Sequence, residues 1–183
     1  MKEREDKPFD IYQSSESKVV TTYEVYLGDD ITCDSSDYTE LLNTLYKTSP
    51  NDIVNIHLAN FGGAVHSGER LIHAIKGCPS HVEIIVEAPC YSMGAIIALC
   101  GTSLTMRPGT FLMFHNFTAT KRGKAGELKL GIVEYEKHFS KLLKLFCSPF
   151  LTKKERVILS NDKDVYIHED DEDYTKRIAR HFK

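Results

Sequence analysis

The stretch VEIIVEAPCYSMGAIIALCG, residues 82–101, decides the fold. Val82–Val86 is a short apolar run rich in β-branched residues, the length and composition of one buried strand. Ala88–Gly94 reads as a tight turn, and the small apolar run Ala95–Cys100 reads as a buried helix closed by Gly101. Working outward, Ile53–Leu58 is a second strand, meeting Asn60-Phe61-Gly62-Gly63, and a helix follows with Leu71, Ile72 and Ile75 on one side, ending near Gly77-Cys78-Pro79. Val19–Leu27 is a third strand, stopped by Gly28-Asp29-Asp30, and Ser35 or Ser36 can cap a helix through Tyr38, Leu41, Leu42 and Leu45. Leu104–Met106 and Phe111–His115 add two short strands around Pro108-Gly109. Strands alternating with helices predict right-handed crossovers and a mainly parallel sheet. The fold class is α/β, with a single domain over residues 19–183 behind a polar arm, residues 1–18, expected to be flexible.

Downstream of His115 the pattern changes. Thr118–Gly126 is rich in Gly and Lys and reads as a loop or loose strand. Leu128, Ile132, Tyr135, Phe139, Leu142 and Phe146 then recur at alternating spacings of four and three, one apolar stripe on a long helix limited by Ser148-Pro149. Such a stripe can pack on its own domain or against another subunit; the pattern alone leans to the first.

Composition narrows the function. The chain of 183 residues is 42% apolar with a formal net charge of -3, enough for a full core and without the basic face of a nucleic-acid binder. The five cysteines, at 33, 78, 90, 100 and 147, are odd in number and include no C-x-x-C pair, which argues against a disulfide framework or a zinc site and for buried free thiols. Met1–Asp10 lacks the apolar segment of a signal peptide, and the longest apolar run is too short to span a bilayer. A soluble, cytoplasmic protein is expected, with neither nucleic acid nor membrane as partner.

Acyl transfer by serine needs a hydroxyl, a base, a carboxylate to hold the base, and preorganised N–H donors for the oxyanion. Ser92 stands between strand and helix, where a turn can lift its hydroxyl to the end of a sheet, with the Met93 and Gly94 N–H groups at a helix start behind it. The pattern Cys90-Tyr91-Ser92-Met93-Gly94 lacks the first glycine of a G-x-S-x-G elbow, and a simple helix cap is an equally local reading. His115 ends a strand, but seven other histidines compete with it; Asp162 and Asp164 are equal acidic candidates. Gly62 and Gly63 can form a plain turn or present N–H groups to an oxyanion or a peptide backbone.

In pattern and order, the residues from about Tyr26 to Tyr166 resemble the ClpP peptidase family. Tyr26-Leu27-Gly28, Asn60-Phe61-Gly62-Gly63, Ser92-Met93-Gly94, Met113-Phe114-His115-Asn116 and Gly123-Lys124-Ala125-Gly126 are similar to that family's early strand, Gly-Gly strand end, nucleophile turn, base segment and Gly-rich strand before its handle helix. The resemblance implies a crotonase-like superhelix of βαβ units with a protruding handle at about 118–150. It implies Ser92, His115 and Asp164 as a triad and the N–H groups of Gly63 and Met93 as the oxyanion hole. It also implies that the segment of Thr118, Gly123 and Gly126, with Gly62, binds the substrate peptide by strand addition. Neither metal nor cofactor is expected. The expected partners are peptide or unfolded-protein substrates, further copies of the chain in stacked heptameric rings, and an AAA+ unfoldase, or else a role in phage prohead maturation. Phe61 where the family has proline, Tyr91 before the serine, and a C-terminal segment unlike the family's are departures. A crotonase-type acyl-CoA enzyme and a non-catalytic assembly protein of the same fold are the alternatives.

Overall fold

A computed structural model describes residues 10–16, 20–120 and 122–183. Four parallel strands, β2 (Thr21–Leu27), β3 (Ile53–Leu58), β4 (His81–Val86) and β6 (Ser103–Met106), form the main sheet, with β1 (Asp10–Glu16) antiparallel at the edge beside β2. Side chains alternate across these strands. Val25 and Leu27, Val54, Ile56 and Leu58, and Val82, Ile84 and Val86 are fully buried on one face. That face shares one core with α1 (Thr39–Lys47), α2 (Val65–Gly77) and α3 (Met93–Ala98).

The expected boundaries of β3, β4 and α2 agree with the structure to within a residue or two. The arm does not. Residues 10–16, read as flexible, pair with β2 from Asp10 opposite Tyr26 to Glu16 opposite Thr21. Ile11 packs against the core, and the Tyr12 ring meets Tyr26 edge-on at 5.8 Å. The remainder of the arm, residues 1–9 and 17–18, lies outside the described residues. Helix capping also differs: Asp34, not Ser35 or Ser36, accepts from the Ser36 N–H and starts a short 3-10 turn, Ser35–Tyr38, that leads into α1. Cys33 is exposed, contrary to the expectation of buried thiols, whereas Cys90, Cys100 and Cys147 are buried.

A second, three-stranded sheet holds β5 (Cys90–Tyr91), β7 (Phe111–Phe114) and β8 (Val165–His168), with β7 in the middle, parallel to β5 and antiparallel to β8. Helix α4 (Ala125–Cys147) carries the long apolar stripe. Only its C-terminal half is buried, through Phe139, Leu142, Leu143, Phe146 and Cys147; Leu130, Ile132 and Val133 in the other half are exposed. Thr118–Lys124 forms no strand among the described residues, and Gly126 lies in the first turn of α4. Helices α5 (Lys153–Ser160) and α6 (Tyr174–His181) complete the chain, flanking β8. Among the described residues, no helix is long and apolar enough to cross a membrane.

The outer face of the main sheet carries an ionic cluster. His57 Nδ1 lies 2.8 Å from Glu87 Oε1 and His57 Nε2 lies 2.9 Å from Glu24 Oε2, while the Tyr26 ring stacks on the imidazole at 4.4 Å. Partial burial pulls the His57 pKa down, but the two carboxylates outweigh it and raise it above the ordinary value of 6.5. A raised pKa in the folded state means that this contribution to stability is complete below pH 6.5 and fades as pH rises through the folded value. A ring-proton NMR titration is expected to place the His57 midpoint above that of an unfolded-state histidine; a midpoint at or below it would show that burial dominates.

Candidate active site

Ser92 sits where β5 turns into α3. Its backbone adopts φ 55° and ψ −122°, a left-handed conformation that side chains other than glycine rarely take, and its hydroxyl makes no capping bond to the helix. The simple cap reading therefore fails. Three backbone bonds hold the turn: Tyr91 N–H donates to Asn60 O at 3.0 Å, Ser92 N–H to Met113 O at 2.8 Å, and Ile96 N–H to Ser92 O at 3.2 Å.

The Gly62-Gly63 segment runs directly beside it. Gly62 has φ +94°, and a Cβ there would lie 2.7 Å from Ser92 Cβ and 2.8 Å from Tyr91 O. Gly63 has φ +130°, and a Cβ there would lie 2.3 Å from Ile31 O. Both positions demand glycine for conformation and for space. Asn60, fully buried, ties the segments together. Its side chain accepts from the Gly62 N–H at 2.8 Å and donates to Asp29 O, while its carbonyl accepts from Tyr91. Asn60 was not singled out in the sequence; an Asn two residues before glycine is the signature of a side-chain-closed turn and was the available signal. Among the described residues, the N–H groups of Gly63 and Met93 donate to no other group.

The small sheet brings the other two candidates alongside. Tyr91 pairs with Met113 and Phe114 pairs with Val165. Ser92 follows the last residue of β5, His115 follows the last residue of β7 and Asp164 precedes the first residue of β8, so the three lie at the same end of the small sheet, just beyond its paired residues. Phe111 and Met113 share one face of β7 by alternation, and His115 follows its last residue, Phe114. Asp162 is distinguished from Asp164 here: its carboxylate accepts from Asn116 Nδ2 at 2.8 Å. His115 is half-buried and Asp164 exposed, and among the described residues no hydrogen bond joins the Ser92, His115 and Asp164 side chains. The neighbouring Cys90 thiol is no rival nucleophile. Burial pushes its pKa to about 11, and its Sγ faces the Leu58 and Ala88 carbonyls.

The family profile described as Clp protease matches residues 4–173. The chain belongs to the Clp protease family. It is 31% identical over 150 residues to the ATP-dependent Clp protease proteolytic subunit 3, chloroplastic, of Arabidopsis thaliana, an alignment covering 79% of this chain and 48% of that protein. The chain thus spans about half the length of that curated relative.

In this Clp-family chain a cavity of about 510 Å³ opens beside the Gly62-Gly63 segment. Gly63–His66 forms one wall, Phe117–Thr120 another, and Gly131, Ile132 and Tyr135 of α4 a third, with Cys33 at its rim. Of the residues expected to bind peptide, Thr118 lines this cavity; Gly62 sits against Ser92, and Gly123 and Gly126 stand outside the lining, close to the start of α4.

Proposed function

We propose that this Clp-family chain is a serine endopeptidase. The observation that carries the reading is the placement of Ser92, His115 and Asp164 at the ends of three adjacent, hydrogen-bonded strands, with the free N–H groups of Gly63 and Met93 beside the serine. Ser92 Oγ attacks the peptide carbonyl while His115 takes its proton. The carbonyl electron pair moves onto oxygen, where the Gly63 and Met93 N–H groups hold it. Collapse of that intermediate breaks the C–N bond, and His115 returns the proton to the leaving amine. Water then releases the acyl group by the same steps. Asp164 orients His115 and stabilises its charged form. None of these steps needs a metal or cofactor.

The peptide on the acyl side lies in the cavity between Gly63–His66 and Phe117–Thr120, where the irregular 117–120 segment offers its backbone for strand addition. The exposed apolar half of α4, with Leu130, Ile132 and Val133, supports association with further copies of the chain into a ring chamber. In that reading α4 is the handle of the fold, and closure of the triad accompanies assembly. An AAA+ unfoldase, or prohead maturation in a phage, is the setting such a chamber would serve.

The direct test is labelling by a fluorophosphonate followed by peptide mapping. An adduct on Ser92 is expected, and no adduct on the assembled protein would refute the reading. The choice between the two aspartates is tested separately. Asp164→Asn is expected to lower kcat by about 10³–10⁴-fold, the size of effect that follows when a base is left in the wrong tautomer. Asp162→Asn, which alters a contact to Asn116, should cost far less, and a reversed order would move the carboxylate role to Asp162.

A further inference from the structure

Next to Ser92 in the chain, and outside the lining of the cavity, aromatic rings lie in series. Phe61, 67% exposed, stacks on Tyr91 with centroids 5.3 Å apart and planes within 24°. Tyr91 meets Phe111 edge-on at 5.4 Å, and Phe111 contacts Tyr166 at 5.7 Å and His168 at 5.1 Å. The two rings nearest the serine are chain neighbours of the site itself: Phe61 precedes Gly62, and Tyr91 precedes Ser92. Phe111 shares its face of β7 with Met113, and His115 directly follows that strand.

These placements divide the site. Residues that follow Gly62 and His115 in the chain, Gly63–His66 and Phe117–Thr120, bound the cavity. Residues that precede Gly62, Ser92 and His115 build the aromatic row. A peptide crossing Ser92 has one flank on each. His115 must protonate the leaving amine, and Phe111 of the row stands on β7, the strand that His115 directly follows, so the leaving segment is assigned to the aromatic row and the acyl segment to the cavity.

We infer that Phe61 and Tyr91 form a specificity site for a large apolar or aromatic side chain on the residue immediately after the scissile bond. This inference rests on the peptidase reading above. An exposed ring stacked on a second, fixed ring offers a flat apolar surface at little ordering cost, and a substrate ring or branched aliphatic chain gains contact area and aromatic geometry on it. A small or charged residue there gains neither. Phe61 contributes most, being the exposed member, and its removal leaves the core untouched.

The test uses the full chain, first shown to label at Ser92 with a fluorophosphonate; an unlabelled protein would be a failure of the peptidase reading, not of this one. Internally quenched peptides that differ only in the residue after the cleaved bond are then compared by kcat/KM, with cleavage sites mapped by mass spectrometry. The wild type is expected to favour Phe or Leu over Ala or Asp at that position by about tenfold, the order expected of one well-placed aromatic contact. Phe61→Ala should collapse the ratio towards one, and Phe61→Leu should retain part of it. A preference confined to the residue before the bond, or a ratio unchanged in Phe61→Ala, would overturn the inference. So would a smaller assembly in Phe61→Ala by sedimentation with the ratio intact, which would make the row a contact between copies.

Discussion

Ser92→Ala is expected to reduce peptide hydrolysis by about four to six orders of magnitude, the loss seen when a triad nucleophile is removed. The same substitution should leave stability almost unchanged. A serine that capped α3 would cost about 1 kcal/mol on replacement by alanine, but the Ser92 side chain makes no capping bond. Alanine inherits the strained φ of 55° without relief. Glycine does not: Ser92→Gly should be equally inactive and more stable by about 1–2 kcal/mol, because only glycine occupies that region at little steric cost. The pair separates chemistry from architecture. Urea unfolding supplies the stability axis and a quenched peptide the activity axis. Hydrolysis retained by Ser92→Ala would move the nucleophile elsewhere, and a destabilised Ser92→Gly would mean that the turn is not strained at this residue.

Why was this turn legible in the sequence, when much of its surroundings was not? The strands of the main sheet announce themselves because alternate residues such as Val54, Ile56 and Leu58 are buried against helices, and burial on one face imposes period two. The α4 stripe was equally plain, yet its period is silent about what covers it, and the structure leaves half of it bare. The small sheet was invisible as a sheet. Strand β5 is two residues long, below any periodicity window, and β8 has four. Local chemistry leaves Asp162 and Asp164 even, since neither belongs to a strand of that sheet. Resemblance to a family selects Asp164. The edge strand β1 was missed because its sequence, Asp-Ile-Tyr-Gln-Ser-Ser-Glu, is mostly polar.

The C-terminal segment departs most from the family pattern, and there Arg177→Ala is expected to cost about 3–5 kcal/mol, the penalty for breaking a buried ion pair by removing one partner. Arg177 is almost fully buried. Its Nη1 and Nη2 donate to the two Glu155 oxygens at 2.9 and 2.7 Å, its Nε to Asp173 at 2.9 Å, and its Nη1 also to Phe150 O at 3.1 Å. Glu155 also closes the capping box of α5, accepting from the N–H of the N-cap residue Thr152 at 2.7 Å. One guanidinium therefore latches α6 to the start of α5, the helix that leads into Asp164 and β8. Arg177→Lys should recover only part of the loss, since a point charge cannot reproduce the fork. The latch also has a pH signature. Burial raises the Glu155 pKa, but the Arg177 and Thr152 hydrogen bonds outweigh it and hold the carboxyl at about 2, below its ordinary 4.5. A depressed carboxyl contributes stability that is complete above the ordinary value and is lost as pH falls from there towards about 2. Wild-type stability should fall more steeply than that of Arg177→Ala across this range, so that the two converge in acid. Urea unfolding at neutral and acidic pH reads this directly. Parallel pH profiles would mean that Arg177 serves packing against Phe150 and not the charge of Glu155.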